Sequence, residues 1–403
     1  MQHLRYGQLV GNVGQAVAAF TLAYLILHQA PVADYALLSL VLLLQAFGIA
    51  LVNALVGSPL LILLHAQSPS KDGPVLIGFI WIAAGLAIGI AALQLIFAVI
   101  SGQAVMTATW LALASTLQIL RSALRSYWLN RHAEKVIQSD LLLTFSLLLP
   151  IFWLMLNHII TLQSVAFILV LATVLAIGPL LIPIRRWIGL TPAWPEIKQG
   201  LNQQGKPAAL GVLTVELTAN FHCYFVMLMS GSHAFAAIAA ATLFFRPQAV
   251  ILQSLQQSER AMIVQAWLAK CYTQLRQTMS VMHRLAVTAF LLNLIAIALV
   301  WYWQPDWLWP DPVTEQSFLL ALLLWGGIAF LRGARLPIST VLQAADQFQP
   351  LARATYISAG LTIPAVCISW CLGGPIATLI GVLVGEVILA IQLKRTLDRL
   401  LSF

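Results

Sequence analysis

Residues 194–206 read WPEIKQGLNQQGK, a polar break close to the midpoint of a 403-residue chain that is 61% hydrophobic and only 8% charged. With a mean hydropathy of +0.90, the chain is too apolar for a soluble domain of its length and belongs among integral membrane proteins. On both sides of the break the sequence resolves into apolar stretches of about 20 residues or more, the length a helix needs to cross the hydrocarbon core. Before it they cover 7–27, 34–64, 75–100, 104–130, 137–157 and 163–184; after it, 208–229, 234–257, 281–303, 317–342, 355–372 and 375–393. The pattern predicts an all-α polytopic fold of about twelve transmembrane helices in two pseudo-symmetric six-helix bundles. Residues 1–190 form the first bundle, 191–206 an amphipathic cytoplasmic linker and 207–403 the second bundle.

Charge orients this arrangement. The chain carries 21 Lys and Arg against 13 Asp and Glu, a net charge of +8. The basic residues outside the apolar stretches fall on one side: Lys71, Arg131, Lys135, Arg185, Arg186, Lys198, Lys206, the segment 260–284, Arg353, Lys394 and Arg395. The opposite turns are short and carry no base, and the longest of them, 304–316, holds Asp306, Asp311 and Glu315. The positive-inside rule then places both termini of this multi-pass protein in the cytoplasm. It also accounts for the basic balance, so no nucleic-acid partner is expected. The apolar stretch 7–27 exceeds a signal-peptide core and reads as an uncleaved first helix. Two basic segments, 192–204 and 259–282, alternate apolar and polar residues at helical spacing and suit helices lying in the interface.

A minority of the arginines lie at membrane depth, where a charge costs about 2.5–3.5 kcal/mol and needs a cavity or a partner. Arg246 is near the middle of 234–257, and Arg121 with Arg125, and Arg332 with Arg335, share one helix face near the inner ends of 104–130 and 317–342. The two pairs recur about 210 residues apart. Together with a proline at comparable depth in 34–64 and in 234–257, they support a parallel duplication. Guanidinium forks bind phosphate oxygens bidentately and stay charged, so these five are candidate ligands of an anionic substrate; the four paired ones could equally snorkel to the headgroups. Gln15 and Asn12 in the first helix are candidates to line the same cavity, or to bond between helices.

The acids at depth are Glu216 and Glu386. Either could couple transport to a H+ or Na+ gradient, and either could pair with an arginine; no other cofactor is expected. The GxxxG pairs Gly85/Gly89 and Gly381/Gly385 read as close helix contacts. Trp301, Trp303, Trp307 and Trp309 read as an aromatic belt. The four cysteines lack the neighbours for a metal site, and none sits where an oxidising compartment would pair it. No hydrolase, zincin, dinucleotide or P-loop motif occurs, so the chain is read as a non-enzyme without a motor of its own.

The run GKPAALGVLTVELTANFHCYFVMLMSGSHAFAAIAAATLFFRPQAVILQSL (205–255) resembles the middle of the polysaccharide transporter (Wzx-like flippase) branch of the multidrug/oligosaccharidyl-lipid/polysaccharide (MOP) flippase superfamily. Residues 6–40, YGQLVGNVGQAVAAFTLAYLILHQAPVADYALLSL, and 335–389, beginning RLPISTVLQAADQF, are similar to the flanking helices. The likeness is of helix texture and extends over essentially the whole chain. It implies a V-shaped, MATE-like pair of bundles working by alternating access on an undecaprenyl-pyrophosphate-linked oligosaccharide. That cargo serves exopolysaccharide, O-antigen or capsule assembly, with membrane lipids and other polysaccharide-assembly proteins as partners. It further implies that cavity arginines bind the lipid-linked phosphate, Arg246 being the best match. Relatives of the lipid II flippase type carry arginines in the first two helices, where this chain has Gln15 and Ser58. Two rival functions stay open: a cation-coupled multidrug exporter of the same superfamily, which wants acidic cavity residues, and a membrane-embedded polysaccharide polymerase or ligase, which wants a larger outer loop.

Overall fold

The computed structural model describes residues 2–66, 72–102, 104–157, 160–187, 189–308, 314–345 and 347–401, without the side chains of 2–10, 12, 13, 65, 66, 130, 186, 257, 258, 261, 306 and 348. Among these residues there is no strand. The helices are α1 Gln2–Gln29, α2 Val32–Val52, α3 Ser58–Ala66, α4 Asp72–Ile100, α5 Val105–Arg131, α6 Ala133–Leu156, α7 Leu162–Leu181, α8 Trp194–Gly200, α9 Lys206–Phe244, α10 Arg246–Leu268, α11 Tyr272–Trp303, α12 Glu315–Ala344 and α13 Phe348–Leu401.

Among the described residues eight segments are long and apolar enough to cross a membrane, and two of these, Trp194–Phe244 and Gln349–Leu401, run to 51 and 53 residues. At ~1.5 Å per residue each reaches nearly 80 Å, more than twice the ~30 Å hydrocarbon thickness. Each is interrupted by a glycine in left-handed backbone, Gly231 at φ 81° and Gly374 at φ 76°. A side chain there would clash with its own carbonyl, which is why both turns fall on glycine. At Gly374 the chain doubles back. Gly381 lies against the backbone of Val366, Gly385 lies against Thr362, and the Ser358 hydroxyl donates to the Gly385 carbonyl at 2.8 Å. The chain is therefore a multi-pass, all-α membrane protein.

Packing divides it into two units, 1–213 and 214–403. In the first, the interior holds a polar relay: Gln94 Nε2 donates to the Val41 carbonyl at 3.1 Å and to Ser115 Oγ at 3.0 Å, and Ser115 donates to Gln45 Oε1 at 3.2 Å. In hydrocarbon such groups have no water to turn to, so they bond between α2, α4 and α5. Pro59 has no N–H to donate to Leu55, and the helix widens into a π-turn at Asn53–Gly57, with the backbone N–H of Ser58 reaching the Asn53 carbonyl. Gly200 and Gly205 pack on Pro59, and the Ile197 side chain is fully buried beside Gly78. The segment 194–206 is thus packed into the first unit and runs without a gap into α9.

Several local expectations change. The helix predicted over 234–257 breaks at Phe245, where Arg246 opens α10 with Pro247 in its first turn. Proline is tolerated there because a first-turn N–H has no intrahelical acceptor. No separate interfacial helix occupies 259–282; α10 extends to Leu268 and α11 starts at Tyr272. The two bury Ile263, Ala266, Leu275 and Met282 against Val341 and Leu397. The two GxxxG pairs also differ. Gly381 and Gly385 make the close contacts described, whereas a Cβ on Gly85 or Gly89 would meet nothing within 4 Å. The aromatic rings at the end of α11 are open, with Trp303 and Trp307 exposed; Trp309, Asp306 and Asp311 lie outside the described side chains.

Candidate functional site

The helical spacing that puts Arg121 and Arg125 on one face of α5 aims both at Asp140, in the second turn of α6. Arg121 Nη2 donates to Asp140 Oδ1, and Arg125 Nη2 lies 3.1 Å from Oδ2. Arg121 also donates through Nε to Ser139 Oγ at 2.9 Å and through Nη1 to Gln118 at 3.4 Å. Asp140 is fully buried, and α1 seals it through Gly11, whose Cβ position is 2.8 Å from Asp140 Cβ. Arg131, one helix end away, is similarly held by Asp72 at 2.9 Å, with Tyr127 donating to the same carboxylate at 3.2 Å.

The second unit repeats the motif with different bonding. Arg332 Nε donates to Glu386 Oε1 at 2.7 Å, and Arg335 Nε approaches Oε2 at 3.1 Å without the alignment of a hydrogen bond. Arg332 Nη2 is buried with no hydrogen-bond partner among the described residues. One side of Arg332 therefore faces a carboxylate while the other is unspent. Arg332 also lines a cavity of about 100 Å³ together with Arg246, Phe245, Gln248, Leu252 and Trp325. The Arg332 guanidinium lies 5.3 Å from the Trp325 ring centroid, a cation–π contact.

The cavity is rich in orphaned polar atoms. Trp325 Nε1 and Gln248 Oε1 are both buried without a partner among the described residues. Gln248 spends its amide N–H on the Ala329 carbonyl at 3.4 Å. His222 stands behind Trp325, ring centroids 5.8 Å apart, and its Nδ1 is likewise unpartnered. Buried polar groups in native proteins are almost always satisfied, so the open donors of Trp325 and Arg332 and the open acceptor of Gln248 around one small cavity mark a place for a polar guest. No carboxylate lines it among the described residues, and its charged groups there are guanidinium groups. Its volume suits a compact group of a few heavy atoms or a few waters, not a sugar chain.

Glu216 is handled differently from the other deep acids. Tyr224 donates to its Oε1 and Asn220 Nδ2 to Oε2 at 3.1 Å, and no Lys or Arg pairs with it among the described residues. Of the first-helix candidates, Gln15 is half-buried with its Nε2 unpartnered, and the Asn12 side chain lies outside the described residues. Asn53 accepts from Ser122 at 3.3 Å, an ordinary interhelical bond.

Of the sequence candidates, the structure brings together Arg246 and Arg332 at one cavity, gathers Arg332 and Arg335 on Glu386, and sets Arg121 and Arg125 apart on Asp140. Asp140, Gln248, Trp325 and Tyr224 were not picked out by sequence reasoning. Trp325 was findable, because it sits seven residues before Arg332 and so on the same helix face.

No family model and no curated protein matches the chain. Solved structures do. The inward-facing conformation of a multidrug resistance MATE family transporter of the MOP superfamily superposes with a TM-score of 0.65 at 14% identity, covering 94% of this chain and 92% of that one. The outward-facing conformation gives 0.63 at 15% identity over 96% and 92%. The lipid II flippase MurJ, inward closed, gives 0.72 at 13% identity over 99% and 88%. The fold is MOP-like. At these identities the likeness is one of fold, and it agrees with the polytopic all-α architecture read from the sequence.

Proposed function

We propose that this chain is a transporter, and that its cargo is an undecaprenyl-pyrophosphate-linked oligosaccharide moved by alternating access across the inner membrane for exopolysaccharide, O-antigen or capsule assembly. The observation that carries the reading is the cavity where Arg246 and Arg332 meet the open Trp325 N–H, with no carboxylate in its lining among the described residues. A diphosphate supplies acceptors for the Trp325 Nε1–H and the open Arg332 Nη2, and guanidinium is the group best matched to it. The cavity volume leaves the saccharide outside, which suits a site that recognises the lipid-linked anion common to many glycans. Arg121, Arg125 and Arg335 are assigned to holding their carboxylates, and Gln15 and Asn12 to a secondary role along the path. The termini face the cytoplasm in this reading.

The test is Arg246→Ala, which is expected to stop export of the lipid-linked glycan while the protein still inserts at normal levels. Normal export by that variant sinks the assignment.

A cation exporter is the second reading, and Glu216 is what favours it, being the one deep acid described here without a basic partner. We assign Glu216 to H+ or Na+ coupling instead, because neutral donors hold it and leave its charge open to an incoming cation. Glu216→Gln should remove the dependence of transport on the ion gradient while binding of diphosphate lipid persists. Loss of drug resistance with intact glycan export would favour the exporter.

A further inference from the structure

A second cavity, about 690 Å³, lies at the ends of the two arms of α13 remote from Gly374. The first arm contributes Arg353 and Ile357, the second Gln392, Thr396 and Arg399, and Gln347 closes the rim. Two guanidinium groups, carboxamides and a hydroxyl line it, and no carboxylate does among the described residues. The arms are held by the buried Ala354, Leu389 and Leu393 with Leu342 of α12. Arg353 is exposed, and Lys394 and Arg395 stand exposed on the same helix without lining the groove.

The charged mouth continues into an apolar face. Ile357, Leu361 and Ile368 are 37%, 48% and 58% exposed. With Arg353 they fall within ~80° of one side of the helix at ~100° per residue. Gly360 beside them has open space where a Cβ would be. A cationic notch at the membrane face followed by an uncovered aliphatic stripe running into the bilayer has the polarity profile of one glycerophospholipid.

We infer that this groove binds a phospholipid with an anionic headgroup, the phosphate seated between Arg353 and Arg399 and an acyl chain lying along Ile357, Leu361 and Ile368. The site shares no residue with the Arg246 cavity and stands whether or not the cargo assigned above is right. A free phosphate would occupy the mouth alone, and nothing would then cover the stripe.

The experiment is native mass spectrometry of the purified full chain titrated with phosphatidylglycerol and with phosphatidylcholine of the same acyl chains. Phosphatidylglycerol is expected to bind preferentially. Arg353→Gln with Arg399→Gln should weaken it roughly thirtyfold, from about one kcal/mol per basic residue. Lys394→Gln with Arg395→Gln removes the same charge outside the groove and should leave binding nearly unchanged. Leu361→Ser with Ile368→Ser should weaken it with both arginines intact. Equal binding of the two lipids, equal loss in the two charge variants, or displacement of the lipid by inorganic phosphate over the lipid's own concentration range would each overturn the inference. Each substituted side chain is exposed, and an unchanged melting temperature confirms that the variants fold.

Discussion

The same device, two arginines on one helix face closing on one buried acid, occurs in both units, and it is finished in the first and left open in the second. Around Asp140, three donor atoms of Arg121 find acceptors and a glycine face of α1 covers the carboxylate. Around Glu386, Arg332 Nη2, Arg335 Nε and Glu386 Oε2 lack hydrogen-bond partners among the described residues, and Arg332 borders the cavity of Arg246. The satisfied clasp ties its helices together; the unsatisfied one leaves donors that the proposed anion would fill. A sequence pattern repeated in the two units therefore does not fix how its side chains are bonded.

The comparison is broken most severely at the acids. Asp140→Asn leaves the buried Arg121 guanidinium uncompensated, with Arg125 partly accessible beside it, and should cost about 3–5 kcal/mol. Glu386→Gln should cost about 1–3 kcal/mol, because its arginines remain partly accessible. Thermal unfolding in detergent measures both, and equal losses would refute the distinction drawn between the clasps.

The arginines sharpen it next. Arg332→Gln should keep the fold and weaken diphosphate-lipid binding by about 2 kcal/mol or more, roughly thirtyfold. Arg121→Gln should instead lower the melting temperature and act on binding only through the loss of folded protein. Titration of each purified variant with the lipid separates the two behaviours.

The smallest effect concerns the glycines, which divide along a similar line. Gly385→Ala drives a methyl into Thr362 and should destabilise by about 1–3 kcal/mol. Gly85→Ala meets open space and should be neutral or stabilise by up to about 1 kcal/mol. A loss at Gly85 as large as that at Gly385 would mean that Gly85 packs against another molecule in the membrane.

The deep arginines and Glu386 were legible as exceptions to an apolar pattern, because a charge inside such a stretch stands out in any sequence. Asp140 was not. It sits three residues inside the stretch predicted from 137, where acids are common boundary residues, but α6 already begins at Ala133 and α1 closes over it. The break at Phe245 was hidden for a related reason. The residues around it remain apolar, and hydropathy responds to composition, not to whether the backbone continues. The difference between Gly85/Gly89 and Gly381/Gly385 was invisible, since the motif is identical and only the neighbouring helix differs.

By itself the sequence determined that this chain is apolar enough to cross a membrane many times and which arginines lie inside its apolar stretches. These depend on the transfer free energy of each residue and its spacing along a helix, both properties of the chain alone. Only the tertiary structure decided which arginine is spent and which is available. Whether a buried donor is satisfied depends on acceptors contributed by other helices, and sequences far apart in the chain meet only when those helices pack.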